Sequence, residues 1–154
     1  MTSKFNNVYV GNTTTIASVY EKDGPLANYF DKVYDKDLYY GQDTFERAEE
    51  KLLYDSIKRL IDKCKLKIND INYVISGDLQ NQIAASDYAM RNFEIPFLGI
   101  FNACATFGEG LLIGANFIEG KRANNIIVST SSHNMVAEKQ FRNPTEYGAP
   151  KKKT

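Results

Sequence analysis

Hydrophobic residues recur along this chain at two spacings, and the switches between the spacings predict its elements. The opening stretch, 8–10 and on to 19, is β-branched and predicts a strand interrupted by the turn residues Gly11 and Asn12. Gly24 and Pro25 then mark a turn, since glycine permits positive φ and proline fixes φ. Residues 29–40 are aromatic and charged without a period, which predicts irregular chain or a short helix. Over 44–64 the spacing becomes three and four. It places Phe45, Ala48, Leu52, Ile57, Leu60, Ile61 and Cys64 on one helical stripe, with Asp43 and Glu46 as an N-terminal capping box. Cys64 on that stripe is expected as a buried, inert thiol.

A short apolar strand follows at 72–76, closed by Gly77 and Asp78, and a weaker helix at 82–92. Pro96 precedes a strand at 97–101, and a tight turn at Asn102 and Ala103 leads into a helix over 104–119 with Gly120 as its C′ residue. Gly108, Gly110 and Gly114 are poor helix formers that suit close packing against another backbone. The last strand is expected at 125–129, and 131–154 is polar, non-periodic and read as a long loop. Strands and helices thus alternate, and the Val- and Ile-rich strands carry no polar alternation, which implies burial on both faces. The expected class is α/β, a mostly parallel central sheet with helices on both faces. Sites in such sheets gather at the carboxyl ends of the strands. Three polar clusters fall there, 77–82, 102–106 and 130–134, and Cys104 and His133 are expected to face a hollow where these clusters converge.

Composition removes several functions. The chain has 154 residues, one domain's worth, and Lys+Arg and Asp+Glu each number 19. A balance of charge without a basic stripe argues against nucleic acid. Lys151, Lys152 and Lys153 are expected as a solvated tail. Two cysteines and one histidine make neither a disulfide framework nor a metal site. The first residues have no apolar leader core and no apolar run is long enough to span a bilayer, so a soluble protein of a reducing compartment is expected. No phosphate loop or dinucleotide fingerprint occurs, and no cofactor is expected.

Two readings stand for Cys104. A thiol at the start of a helix suits an acyl-transfer nucleophile, since the helix N-terminus favours anions. It also suits a small buried residue at a tight turn. His133 is either a base or carboxylate donor, or a loop histidine. Arg142, in a stretch rich in side-chain donors, suits a bidentate carboxylate clamp or a surface ion pair.

The run Phe101-Asn102-Ala103-Cys104-Ala105-Thr106, followed by a glycine-containing helix, resembles the nucleophile turn of thiolases and ketoacyl synthase III enzymes. Four further blocks resemble the stage V sporulation protein AD family more specifically. They are Lys22-Asp23-Gly24-Pro25-Leu26 with Phe30-Asp31-Lys32, Gly77-Asp78-Leu79 with Asn81-Gln82, Ile95-Pro96-Phe97-Leu98, and a long block from Ser131-Ser132-His133-Asn134 through Pro144-Thr145-Glu146-Tyr147-Gly148. The resemblance runs from about Val8 to the end and implies that 1–154 is the amino-terminal half of a thiolase-like fold whose second half is absent.

It also implies a non-catalytic protein that binds dipicolinic acid (pyridine-2,6-dicarboxylate), helps move it into the forespore and releases it at germination. Implied partners are the membrane proteins encoded with it and a second half or second copy. The implied location is peripheral at the spore inner membrane. The expected ligand residues are Asn81, Ser132, His133, Asn134, Arg142 and Cys104, the last as a vestigial nucleophile. The alternative is a cysteine-dependent acyltransferase or condensing enzyme using Cys104, although a thiolase site takes its histidines from the second half. A purely structural half-sheet with an exposed apolar edge is the third reading.

Overall fold

The computed structural model describes residues 3–142, apart from the side chains of Gln140 and Arg142. Its elements in chain order are β1 (Ile16–Ala17), β2 (Lys32–Val33), α1 (Phe45–Cys64), β3 (Tyr73–Gly77), α2 (Ala84–Met90), β4 (Phe97–Gly99), α3 (Thr106–Glu119), β5 (Ile126–Thr130) and α4 (Asn134–Arg142). Among the described residues β4, β3 and β5 form a parallel sheet in that order, and β1 pairs with β2 in a separate parallel pair. Val74 sits opposite Phe97 on one side and Ile127 on the other. The expected α/β class, parallel strands flanked by helices, is the class observed.

The central strand is buried on both faces, as its unbroken apolar run requires: Val74, Ile75 and Ser76 are fully inaccessible. On one face α1 and α2 contribute Leu53, Ile57, Ile61, Ala89 and Met90 to a core shared with Val74 and Ile127. Burying a side chain such as Leu53 or Ile57 stabilises by about 1.5–3 kcal/mol. The other face is covered by α3. At Gly110 an added Cβ would lie 2.7 Å from Val128 Cγ1, so the helix lies closer to β5 there than alanine permits.

Several expectations shift. Thr44, not Asp43, caps α1: its hydroxyl accepts from the Arg47 amide at 3.2 Å, the bond that an N-cap side chain makes to the third helical residue. Glu46 pairs instead with Lys139 of α4. Leu53 rather than Leu52 is the deepest leucine, and Cys64, the last residue of α1, is half-buried. The expected first strand shrinks to Ile16–Ala17. A short 3-10 turn at Ala103–Ala105 precedes α3. Gly120 keeps an ordinary φ of −76°, and Lys121 takes the left-handed one at 57°. The loop expected from 131 contains α4 as far as Arg142, and 143–154 lies outside the described residues.

Candidate functional site

The carboxyl ends of the three strands meet at Gly77. A Cβ there would fall 2.0 Å from the Ile100 carbonyl oxygen and 2.8 Å from Thr106 Cγ2. The Gly77 carbonyl accepts from the Thr130 hydroxyl at 2.9 Å and the Ser131 amide at 3.4 Å. The end of β3 therefore touches both the segment after β4 and the one after β5. The turn into α3 ties itself together: the Thr106 hydroxyl donates to the Ala103 carbonyl at 2.8 Å and accepts from the Asn102 amide at 3.0 Å. Ala103 takes a left-handed φ of 44°, an uncommon state for a residue with a Cβ. This turn holds Cys104 exposed just before the start of α3. Asn81, Ser132 and Asn134 are exposed on the neighbouring segments, Asn81 opening a 3-10 turn at Asn81–Ile83.

Beneath this rim lies a buried polar layer. Asp78 Oδ1 accepts from the Gln80 amide at 2.8 Å, and Oδ2 from the Ser86 amide at 2.7 Å. Glu49 of α1 is 1% exposed. Its Oε2 accepts from Gln80 Nε2 at 3.1 Å, its Oε1 from the Ser131 hydroxyl at 2.9 Å, and the His133 amide also donates to it. Burial pushes the Glu49 carboxyl up, the donors from Gln80, Ser131 and His133 oppose that, and the nearby Asp78 charge adds to it. Sequence reasoning missed Glu49. The signal was available: it stands four residues after Phe45 and four before Leu53, an acid at an apolar-stripe spacing.

His133 stands just after β5 at the carboxyl end of the sheet, as expected, but it is turned inward. It is 3% exposed, its ring stacks on Phe45 at 5.2 Å, and Nε2 lies 2.8 Å from the Leu38 carbonyl. The Met135 amide donates to Nδ1 at 3.3 Å, which assigns the proton to Nε2 as donor to Leu38. Both ring nitrogens are committed and the ring is buried, whereas Cys104 is exposed, and neither residue lines the groove beside β5. The role of His133 is to fix the start of α4 against α1. The side chain expected to clamp a carboxylate, Arg142, lies outside the described residues.

Beside β5 runs a groove of about 490 Å³, lined by residues 8–16, by α1 through Leu52, Ser56 and Leu60, and by α3 through Phe107 and Leu111. Ser132 and Phe107 share its lining, whereas Cys104, His133, Asn81 and Asn134 do not. Among the described residues no cluster of three or more His, Cys, Asp or Glu side chains could hold a metal ion. No helix among them is long and apolar enough to cross a membrane.

Fold and rim define an α/β protein with a parallel sheet and its polar surface at the strand carboxyl ends. Comparison with known proteins narrows that class. The chain matches the family model of stage V sporulation protein AD over residues 1–154. It is 40% identical over 147 residues to the stage V sporulation protein AD of Bacillus subtilis (strain 168), an alignment covering 96% of this chain and 43% of that relative. The chain belongs to the stage V sporulation protein AD family, proteins of bacterial sporulation. It spans less than half the length of that curated relative.

Proposed function

We propose that the protein binds dipicolinic acid at the carboxyl-end rim without catalysing a reaction, and so supports uptake of the acid into the forespore and its release at germination. The observation that carries this reading is the meeting of the three strand-end segments at Gly77, in a chain of this sporulation family. One carboxylate sits at the start of α3, where backbone amides and the helix dipole favour an anion. The other is held by Ser132 and Asn134, both exposed on the adjacent segment. The pyridine ring rests against Phe107, which lines the groove together with Ser132. His133 serves from beneath, holding this segment in place. The protein sits peripherally at the spore inner membrane beside the membrane proteins encoded with it.

Calorimetry tests the reading with dipicolinate and, as the monocarboxylate control, picolinate. Measurable heat for dipicolinate and much weaker heat for picolinate are expected; equal, negligible heats refute it.

A condensing-enzyme reading draws on one feature, the exposure of Cys104 beside a helix start. An acyl-transfer thiol works with an adjacent base. His133, the single histidine of the chain, has both ring nitrogens engaged elsewhere. Incubation with acyl-coenzyme A is expected to leave Cys104 without an acyl adduct by mass spectrometry.

A further inference from the structure

We infer that Glu49 is a positioning residue for the rim: it fixes the turn after β3 against the segment after β5, and so sets the spacing of Asn81 from Ser132 and Asn134. The inference rests on the binding reading above. Its basis is the division of labour between two buried acids. Asp78 binds the amides of Gln80 and Ser86, both within its own turn and the helix that follows. It shapes that turn internally and leaves its placement open. Glu49 joins two segments that are remote from it in sequence, Gln80 at a separation of 31 residues and Ser131 at 82.

The Thr130 hydroxyl and Ser131 amide bonds to the Gly77 carbonyl also span β3 and β5, but both end on the last residue of β3, before the turn that carries Asn81. Beyond that point, Glu49 connects the two segments from below. Its partners Gln80, Ser131 and the His133 amide all donate, and a carboxylate supplies two acceptor oxygens at once. Alanine at this position would leave these donors without their acceptor in a site closed to solvent. Glutamine would keep the length and one acceptor, and the Ser131 hydroxyl can turn to accept from the new amide.

The test combines amide hydrogen exchange, resolved by segment, with dipicolinate calorimetry on the native chain, Glu49→Ala and Glu49→Gln. The alanine variant is expected to exchange about tenfold faster at 79–83 and 131–134 with β3 and α3 unchanged, and to bind dipicolinate about tenfold more weakly. Glutamine should restore both quantities to within about twofold of the native chain. Native exchange rates at both segments in a folded alanine variant would overturn the inference, as would equal loss in the alanine and glutamine variants. Should the alanine variant not fold, Gln80→Ala combined with Ser131→Ala removes the same links from the donor side. The same acceleration is expected there, and its absence overturns the inference. If the native chain gives no heat with dipicolinate, the binding reading fails, and the exchange data alone decide whether Glu49 holds the segments.

Discussion

At Gly77 a side chain has nowhere to go, because one obstacle is the backbone carbonyl of Ile100 rather than a movable side chain. Gly77→Ala is therefore expected to cost at least about 1–3 kcal/mol, the usual range for overpacking, and denaturant titration measures it. An unchanged midpoint would mean that the strand ends are not pressed together. Glu49 makes a prediction of opposite kind. Its carboxyl is raised in the folded state, chiefly by burial, so protonation favours folding. Its contribution to stability is full below the ordinary glutamate value of about 4.3 and is lost as pH rises through the raised folded value. Glu49→Gln does not titrate. Its melting temperature relative to the native chain should therefore be more favourable at about pH 8 than at about pH 5. A difference independent of pH would show that Glu49 is not held in the way described.

Among the elements, α1 was the most legible in sequence, because a helix of 20 residues repeats its period often enough to be unmistakable. Its cap was misplaced by one residue, since Asp43 and Thr44 are both good capping types and the choice depends on backbone geometry. Thr44→Ala should cost about 1 kcal/mol and Asp43→Ala much less, as read from thermal unfolding. Equal costs would put the cap elsewhere. Residues 8–14 have strand composition but pair with no strand among the described residues, so only Ile16–Ala17 becomes strand, with the Lys32 amide donating to the Thr15 carbonyl at its edge. The α4 helix was illegible for the converse reason. It is short, so its apolar residues Met135, Val136 and Phe141 repeat no period, and it is held by buried Val136, by Lys139 to Glu46 of α1, and by the buried His133 at its start. The rim shows the same division. The positions of the three polar clusters follow from element order, but the burial of Glu49 and His133 depends on donors and carbonyls that are remote in sequence.

For the whole molecule, β5 is paired on one side among the described residues, and α3 exposes Phe107, Leu111 and Leu112 at 47%, 41% and 50%. Large apolar side chains left exposed on one helix favour contact with a partner surface. The chain corresponds to less than half of a longer relative. Alone, the chain should self-associate as its concentration rises, and Leu112→Glu should suppress this in sedimentation experiments without loss of helix content. A native chain that stays monomeric throughout would show that the α3 face is not sticky enough to matter.

The central claim is that ligand binding belongs to the strand-end rim. Residue-resolved chemical-shift mapping during dipicolinate titration tests it most directly. Shifts should concentrate at the amides of 102–107 and 130–134, with smaller ones at 79–83. Saturating shifts confined to the far end of the sheet, or none anywhere, would contradict it.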